Sequence, residues 1–257
     1  MGRANRLTVE GGIFHVTHRC HNQAFLLKFS RDRNAYREKL REGLAEFGGL
    51  SLLDYTITSN HVHLLVEAQS KPELSECMRK VAGEFARNYN CRKDRTNAFW
   101  GDTFHAILVE EGKYLRECLL YIELNMVRCR AVAHPREWEW VGYHEIMGQR
   151  RRYCLLDSER LCWRLGRASV EEVRRQIEMG LAERIARGEV KRIGYWTEAL
   201  GVGSRGFLEQ HRGLILGRME TEIVEVPDQG VNVLREEAIP YGQERGSKNA
   251  AKTVPEG

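Results

Sequence analysis

The spacing of apolar and polar positions predicts a run of strands and helices in the first part of the chain. Residues 12–18 are rich in β-branched and aromatic side chains, which predicts a strand. Residues 32–47 instead carry apolar positions every three or four residues, which predicts a helix. Two more strands are predicted at 50–58 and 61–68, and the short turn between them is typical of a β-hairpin.

The next segment continues the alternation of helices and strands. Pro72 lies in the first turn of a predicted helix that ends near residue 90, because proline is tolerated there. A fourth strand is predicted at 104–110 and a third helix at 111–126. The order β-α-β-β-α-β is that of a ferredoxin-like antiparallel sheet with helices packed on one face. We therefore predict an α+β fold with one added helix.

Beyond about residue 135 the pattern changes to helices rich in Arg and Glu. An apolar stripe runs from Val170 to Ile185 at helical spacing, and Trp196 opens a further apolar cluster. The polar end of the chain has little periodicity and is expected to be disordered. The predicted division is a catalytic domain at 1–149, a basic helical C-terminal region at 150–227 and a tail at 228–257.

The segment 196–217 has two interpretations. It is compatible with two short helices around a Gly-Val-Gly turn. Such a pair is either a helix-turn-helix that docks on DNA or, more commonly, a small helical packing module.

Composition excludes several classes of protein. The 257 residues are 42% hydrophobic and 30% charged, as in an ordered protein of one large or two small domains. The chain has no run of eighteen apolar residues and its start lacks the apolar core of a signal peptide, so no membrane span and a cytoplasmic location are expected. Seven cysteines without a CxxC pair argue against a disulfide framework and against a thiolate zinc site.

Two histidines, His61 and His63, alternate with Val62 and Leu64 on the third predicted strand. Because alternate residues of a strand point to the same face, the two imidazoles lie side by side while their apolar neighbours pack beneath. Such a pair is half of a divalent-metal site. The alternative is a pair of edge-facing histidines on a half-buried strand.

Tyr121 and Asn125 lie four residues apart on the third predicted helix, and therefore on one face. A phenol beside an amide oxygen suits a nucleophile and a third metal ligand. A metal that polarises a phosphate would help a phenol, whose usual pKa is about 10, to attack at neutral pH. The alternative is that Tyr121 packs in the core. Tyr114, seven residues earlier on the same stripe, is the competing candidate nucleophile.

Basic residues are distributed unevenly. The chain has 40 Lys and Arg against 36 Asp and Glu, a formal net charge of +4, yet residues 148–192 alone hold 12 basic and 7 acidic residues. Between residues 79 and 100 basic side chains are interleaved with aromatic ones, a mixture that tracks a single-stranded backbone while stacking its bases. The alternative is a solvated helix face. The candidate DNA-binding residues are Arg79, Lys80, Arg87, Arg92, Lys93, Arg95, Trp100, Arg150, Arg151 and Arg152.

Four short segments resemble, in order and spacing, the HUH single-tyrosine transposases. The likeness is greatest to the REP-associated tyrosine transposases, which are domesticated relatives of insertion-sequence enzymes. It covers about residues 10–148, and the fold of that family, a ferredoxin-like sheet with added helices, agrees with the predicted element order. The segments read GGIFHVT from Gly11, SNHVHLLV from Ser59, FWGDTF from Phe99 and YIELNMVR from Tyr121.

The resemblance implies a role for each matching residue. His61 and His63 match the pair that holds Mg²⁺ or Mn²⁺, and Asn125 falls where a third polar ligand lies. Tyr121 matches the nucleophile that attacks a single-stranded DNA phosphate and leaves a 5′-phosphotyrosine and a free 3′-OH. Because the bond energy is stored in the phosphotyrosine, no nucleotide cofactor is implied.

Two positions depart from the family pattern. Met126 stands where the family has proline, so the helix is expected to continue without a break. Thr103 stands where the family has arginine, which removes a phosphate contact.

These observations favour a metal-dependent transposase that cleaves and rejoins single-stranded DNA beside a hairpin held by basic residues. The alternative is a DNA-binding protein that has kept the fold, lost cleavage and only recognises hairpins. A weaker hypothesis is an unrelated metal hydrolase in which the two histidines activate water, which leaves Tyr121 without a role. The sequence leaves open whether the chain acts alone or as a homodimer that exchanges the Tyr121 helix.

Overall fold

The computed structural model describes residues 9–214 and 220–237. None of the helices within these ranges is long and apolar enough to cross a membrane. The strands are β1 (Gly12–Arg19), β2 (Leu50–Ile57), β3 (His61–Ala68), β4 (His105–Val109), β5 (Gly201–Gly203), β6 (Thr221–Val226) and β7 (Val231–Glu236). The α-helices are α1 (Ser30–Glu46), α2 (Lys71–Lys93), α3 (Lys113–Glu123), α4 (Asn125–Arg128), α5 (Tyr143–Ile146), α6 (Ser158–Arg164), α7 (Val170–Ala186), α8 (Tyr195–Glu198) and α9 (Arg205–Arg212).

The first four strands pair antiparallel in the order β2-β3-β1-β4. With α1 after β1 and α2 after β3, the element order is the predicted β-α-β-β-α-β, and the predicted α+β fold is confirmed. Strand β1 is central, and its Thr17 lies opposite His63 on one side and His105 on the other. Side chains from three strands therefore meet along β1.

One face of the sheet is covered by α1 and α2. Phe14 of β1 and Leu64 of β3 pack in one core cluster with Tyr36 of α1 and Phe85 of α2. Helix α2 begins at Lys71 with Pro72 in its first turn, as the sequence predicts. This face is the apolar core expected of the first six elements.

The opposite face is covered by α3 and by helices from the C-terminal part of the chain. Ile13 of β1 and Leu65 of β3 pack there with Leu119 of α3, Ile177 of α7 and Trp196 of α8. The added third helix therefore lies across the sheet from α1 and α2, and both faces of the sheet are buried.

The prediction that residues 150–227 are helical is only partly correct. Helices α6, α7, α8 and α9 lie there, but β5 and β6 also lie there and belong to the same sheet. Strand β5 pairs in parallel with β4, and β7 pairs antiparallel with both β5 and β6. Strands of 3 and 6 residues that extend an existing sheet carry too little periodicity to be recognised in a sequence. The division into domains at residue 150 stays a prediction.

The Gly-Val-Gly segment is strand β5, so the interpretation of 196–217 as a helix-turn-helix is wrong. Its glycines are explained by helix α9, which packs directly on the strand. A Cβ atom on Gly201 would lie 3.0 Å from Leu208 Cδ2, and one on Gly203 would lie 2.7 Å from Phe207 Cδ1. Close packing of backbone and helix, and not turn geometry, therefore requires these glycines.

Two further expectations are corrected. Residues 231–236 form β7 with Val231 and Val233 buried, so the prediction of a disordered tail is wrong for that part; residues 238–257 lie outside the described residues. The third helix is interrupted before Met126, because Leu124, with φ −77° and ψ 3°, separates α3 from α4, and α4 then continues through Met126 to Arg128. The side chain of Arg128 donates to the carbonyl of Tyr121 at 3.0 Å, which gives that carbonyl a partner at the interruption.

Candidate active site

His61 and His63 lie on the α3 face of β3, as their spacing predicts. His63 is buried between neighbouring strands, opposite Thr17 of β1 and Thr56 of β2, and His61 begins the strand. Their ring centroids are 4.9 Å apart and the ring planes are nearly perpendicular, at 85°. The structure thus brings the two imidazoles together.

Each imidazole is oriented by a hydrogen bond at Nδ1. Asn60 Oδ1 lies 2.7 Å and Thr58 Oγ1 3.0 Å from His61 Nδ1. His15 Nε2 lies 2.8 Å from His63 Nδ1. Because Nδ1 is engaged in both rings, Nε2 is the atom directed at a further partner. Metal-binding histidines are oriented in the same way.

Asn125, the first residue of α4, approaches both Nε2 atoms. Its Nδ2 lies 3.0 Å from His63 Nε2 and 3.5 Å from His61 Nε2, while its Oδ1 is buried without a hydrogen-bond partner in the described residues. Since the two ends of an amide exchange by a flip, the oxygen can face the imidazoles instead. Two imidazole nitrogens and one amide oxygen then converge, and this donor set fits a divalent cation.

The amide of Asn125 is necessary if the two histidines are to hold a cation with three protein ligands. Within the described residues, no three His, Cys, Asp or Glu side chains are placed to hold a metal ion. A metal site built on His61 and His63 would need Asn125 as its third protein ligand, and its remaining positions would be open to water or a phosphate oxygen.

Tyr121 lies on α3 beside the same histidines. Its ring centroid is 6.1 Å from that of His63 and 6.1 Å from that of His15. Trp196 of α8 covers the ring at 6.1 Å between centroids, and Tyr121 is only 3% exposed. The competing candidate, Tyr114, is buried in the same core cluster as Tyr121, so the ring contacts of Tyr121 with His15 and His63 are what distinguish the two. Tyr121 is the tyrosine that the fold places with the histidine pair.

Two residues that the sequence analysis did not assign also belong to this cluster. His15 holds His63, and it can be recognised only once β1 is paired with β3. Arg128 lies with Cζ 4.1 Å from the centroid of the Tyr121 ring. Its position seven residues after Tyr121, two helical turns on, is the signal that could have identified it.

Burial sets the charges of the site. Desolvation lowers the pKa of His61 to about 3 and that of His63 well below its usual value, so both rings are neutral, the form that binds a metal. Burial raises the pKa of Tyr121, and the positive charges of Arg128 and Arg192 oppose this shift. The phenol is therefore protonated at neutral pH, and its ionisation requires further positive charge beside it.

The basic residues predicted on and after α2 fall into two groups. Arg79, Arg87 and Lys93 are exposed on the helix. The others already have protein partners, which reduces the charge they offer. Lys80 pairs with Glu46 and Glu84, Arg92 pairs with Asp32, and Arg95 donates to Asn90 Oδ1.

Trp100 and Arg150 face inward. The indole of Trp100 stacks on His18 at 3.9 Å and its Nε1 donates to the carbonyl of Ala82 at 3.0 Å. Arg150 donates to Tyr55 Oη at 2.8 Å, and its neighbours Arg151 and Arg152 are exposed. The roles of these ten residues in DNA binding stay predictions.

The basic excess after residue 148 is largely engaged in ion pairs. Four arginines of α6 and α7 lie against carboxylates, and three of these pairs fasten this region to the sheet and to α3, whereas the pair of Arg174 lies within α7. The pairs are Arg160 and Arg164 with Glu67, Arg174 with Glu171, and Arg184 with Glu117.

Comparison with known proteins shows that the part of the chain that holds this site matches a protein family. Residues 8–125 match the family model described as "Transposase IS200 like". The matched range includes His61, His63 and Tyr121 and ends at Asn125. No curated protein matches the sequence.

Two solved structures are similar to this chain. A REP-associated tyrosine transposase bound to a REP hairpin aligns with a TM-score of 0.51 and 16% identity, over 58% of this chain and 87% of that chain. A candidate transposase from Deinococcus radiodurans R1 aligns with a TM-score of 0.32 and 15% identity, over 42% and 83%. The first alignment shows a shared fold. Together with the family match it confirms the resemblance predicted from the four segments: residues 8–125 of this chain are similar to the IS200-like transposase family.

Proposed function

We propose that this transposase-family protein is a metal-dependent enzyme that cleaves and rejoins single-stranded DNA through Tyr121. One observation carries the proposal. The Nε2 atoms of His61 and His63, the amide of Asn125 and the ring of Tyr121 converge on one face of the sheet. A binding protein without catalysis has no need of an oriented imidazole pair beside a phenol.

His61, His63 and Asn125 would hold Mg²⁺ or Mn²⁺, which supplies positive charge at the phosphate and lowers the barrier to attack by an oxygen nucleophile. Asn60, Thr58 and His15 keep the imidazoles oriented for this purpose. Arg128 adds a fixed positive charge beside the phenol and favours its ionised form.

The chemical step exchanges one phosphodiester bond for another. The Tyr121 oxygen forms a bond to phosphorus as the bond to the 3′ oxygen breaks; the phenol proton passes to solvent, and the departing 3′ oxygen takes up a proton. The products are a 5′-phosphotyrosine and a free 3′-OH. Rejoining is the same exchange in reverse, so no nucleotide cofactor is required.

Tyr121 must be uncovered before it reacts. At 3% exposure beneath Trp196, the phenol has no room for a phosphate of an incoming strand. Helix α8 has only 4 residues and is the nearest element that can move aside. DNA binding and displacement of α8 are therefore linked in this proposal.

A hairpin flanked by a single strand is the proposed substrate. The similar structure described above is bound to a REP hairpin, and this chain exposes Arg79, Arg87 and Lys93 on one helix for a phosphate backbone.

The test is covalent adduct formation. The purified chain is incubated with Mn²⁺ and a labelled hairpin oligonucleotide that carries single-stranded flanks, and the products are resolved on denaturing gels. We expect an adduct in the wild type and in Tyr114→Phe, and none in Tyr121→Phe. An adduct that persists in Tyr121→Phe would contradict the assignment of the nucleophile.

The burial of Tyr121 favours one alternative, a hairpin-binding protein without cleavage activity. In that case hairpin DNA binds tightly, no adduct forms with any divalent metal, and Trp196→Ala, which uncovers the phenol, still gives none.

A further inference from the structure

The segment between β1 and α1 exposes two phenylalanines. Phe25 is 67% exposed and Phe29 is 57% exposed. Neighbouring Leu27 is fully buried, so its side chain anchors the segment in the core. Large aromatic rings that an anchored segment holds in solvent are typical of binding surfaces.

Positive charge lies beside the Phe29 ring. Lys28 Nζ lies 5.9 Å and Lys93 Nζ 5.1 Å from the centroid of the Phe29 ring. Both lysines and Arg31 are exposed. An aromatic face flanked by ammonium groups suits a ligand that has flat rings and negative charge in alternation, which is the chemistry of a single-stranded nucleic acid.

The segment is tied to the strand that carries the histidine pair. Leu27 N donates to the carbonyl of Ser59 at 2.9 Å, and Asn60 Nδ2 donates to the carbonyl of Gln23 at 3.1 Å. The Oδ1 of the same Asn60 lies 2.7 Å from His61 Nδ1. One side chain therefore holds both the aromatic segment and the first imidazole of the site.

The backbone of the segment is held in an unfavourable conformation. Asn22 and Gln23 have φ values of 51° and 55°, in the left-handed region that side chains other than glycine rarely adopt. Such conformations cost free energy, and residues that adopt them cluster at functional sites. The hydrogen bonds from Asn60 and Leu27 fix this shape and present the rings in one orientation.

We propose that Phe25 and Phe29 form a stacking surface for unpaired bases of the DNA strand that enters the active site, with Lys28 and Lys93 at its phosphates. This inference rests on the proposed function and names the part of the substrate, an unpaired flank, that lies next to His61. Of the four residues, only Lys93 was indicated by the sequence analysis.

Trp163 of α6 offers a matched control. It is 60% exposed, and Arg160 Cζ and Arg164 Cζ lie 4.5 and 4.6 Å from its ring centroid. Both arginines are paired with Glu67, so this second aromatic surface lacks free positive charge. Glu67 lies six residues along β3 from His61, about 20 Å away at the usual rise of a strand.

The experiment measures the affinity of the full chain for fluorescent oligodeoxythymidylate of twelve nucleotides, without metal so that cleavage does not intervene. We expect about a tenfold weaker affinity in Phe25→Ala or in Phe29→Ala, since the stacking of one base on an aromatic ring contributes about fivefold or more. Phe29→Tyr should bind as the wild type, Phe29→Leu as weakly as Phe29→Ala, and Trp163→Ala as the wild type. Lys28→Ala should reduce the dependence of log affinity on log salt by about 0.7.

Wild-type affinity in Phe29→Ala, or equal binding by Phe29→Leu and Phe29→Tyr, would overturn the proposal. So would a change from dimer to monomer in Phe25→Ala by sedimentation, which would identify the surface as an interface between copies. The two proposals can fail separately. If Phe29→Ala loses oligothymidylate binding but the wild type forms no covalent adduct, the stacking surface is supported and the cleavage activity is contradicted. An adduct that forms normally in Phe29→Ala with unchanged binding contradicts only the stacking surface.

Discussion

The two faces of the sheet use alternate residues of the same strands in different ways. Toward α1 and α2, β1 and β3 present Phe14, Val16, Val62 and Leu64, all buried in one apolar cluster. Toward α3, the same strands also present histidines, a threonine and a glutamate among their apolar residues. These buried polar side chains are His15, Thr17, His63 and Glu67.

The difference separates stability from chemistry. Apolar burial is worth about 25 cal/mol per Å², and on the α1 and α2 face Phe14, Val16, Val62 and Leu64 supply it without polar atoms in their side chains. Buried polar groups cost free energy unless they are partnered, and on the α3 face His63 and Glu67 have such partners whereas Asn125 Oδ1 has none within the described residues. It follows that substitutions on the first face should reduce stability, whereas those on the second should reduce activity or change its dependence on pH.

The largest expected effect comes from adjacent residues of β3 that face opposite ways. His63→Ala should lower the rate of adduct formation by about 100-fold or more and abolish Mn²⁺ binding, because a ligand and its orientation are lost together. Val62→Ala should destabilise the protein by about 1.5–3 kcal/mol yet keep Mn²⁺ binding. Isothermal titration with Mn²⁺ and the gel assay measure both variants. Retained metal binding in His63→Ala would contradict the division between the faces.

Phe85 tests the apolar face by itself. It is 2% exposed and its ring packs edge-on against Tyr36, with centroids 5.3 Å apart. Phe85→Ala should lower the free energy of unfolding by about 3–5 kcal/mol, as expected for a cavity in a packed core. Urea denaturation measures this change, and exposed Arg87→Ala on the same helix should stay within about 0.5 kcal/mol. A loss of Mn²⁺ binding in folded Phe85→Ala would contradict the assignment of metal binding to the α3 face alone.

Glu67 joins the α3 face to the C-terminal region. Burial alone would raise its pKa, but hydrogen bonds from Arg164 and Arg160 outweigh this and lower the pKa to about 2. Glu67→Gln should cost about 1–3 kcal/mol at neutral pH, because two charged donors lose their acceptor. A carboxylate with a depressed pKa stabilises the fold above its unfolded pKa of 4.5 and loses that effect as pH falls. The difference between variant and wild type should therefore shrink in urea titrations on going from pH 6 to pH 3; a constant difference would contradict the role of charge.

The smallest expected effect is a change in the pH dependence of stability on substitution of Asp54. This residue of β2 is fully buried on the α3 face. Burial raises its pKa and the negative charge of Glu145 adds to this shift, whereas a hydrogen bond with Glu123 opposes it. An acid whose pKa is raised by folding binds its proton more tightly in the folded state, so stability falls as pH rises above the unfolded pKa of about 4. Asp54→Asn keeps a neutral side chain and should flatten this fall by at most about 1.4 kcal/mol per pH unit. Parallel stability curves for the two proteins between pH 5 and pH 8 would show that Asp54 is charged in the fold.

The sequence determined the local helices and strands, and it determined which candidate active-site residues lie together on one face of each. Period-two alternation at His61 and His63 places both rings on one face of a strand, whatever that strand packs against. Helical spacing likewise relates Tyr121 to Asn125, and Pro72 fixes the start of α2. These are properties of a few consecutive residues, so the order of the first six elements and the resemblance of residues 8–125 to the transposase family were both predicted correctly.

Only the tertiary structure decided what those elements meet. That His15 orients His63, and that Trp196 from the far end of the chain covers Tyr121, follow from strand pairing and packing between residues distant in sequence. The same holds for β5, whose three residues become a strand because β4 and β7 offer hydrogen bonds on both sides. Local patterns hold no information on such partners, because the free energy that selects them comes from long-range burial and hydrogen bonding.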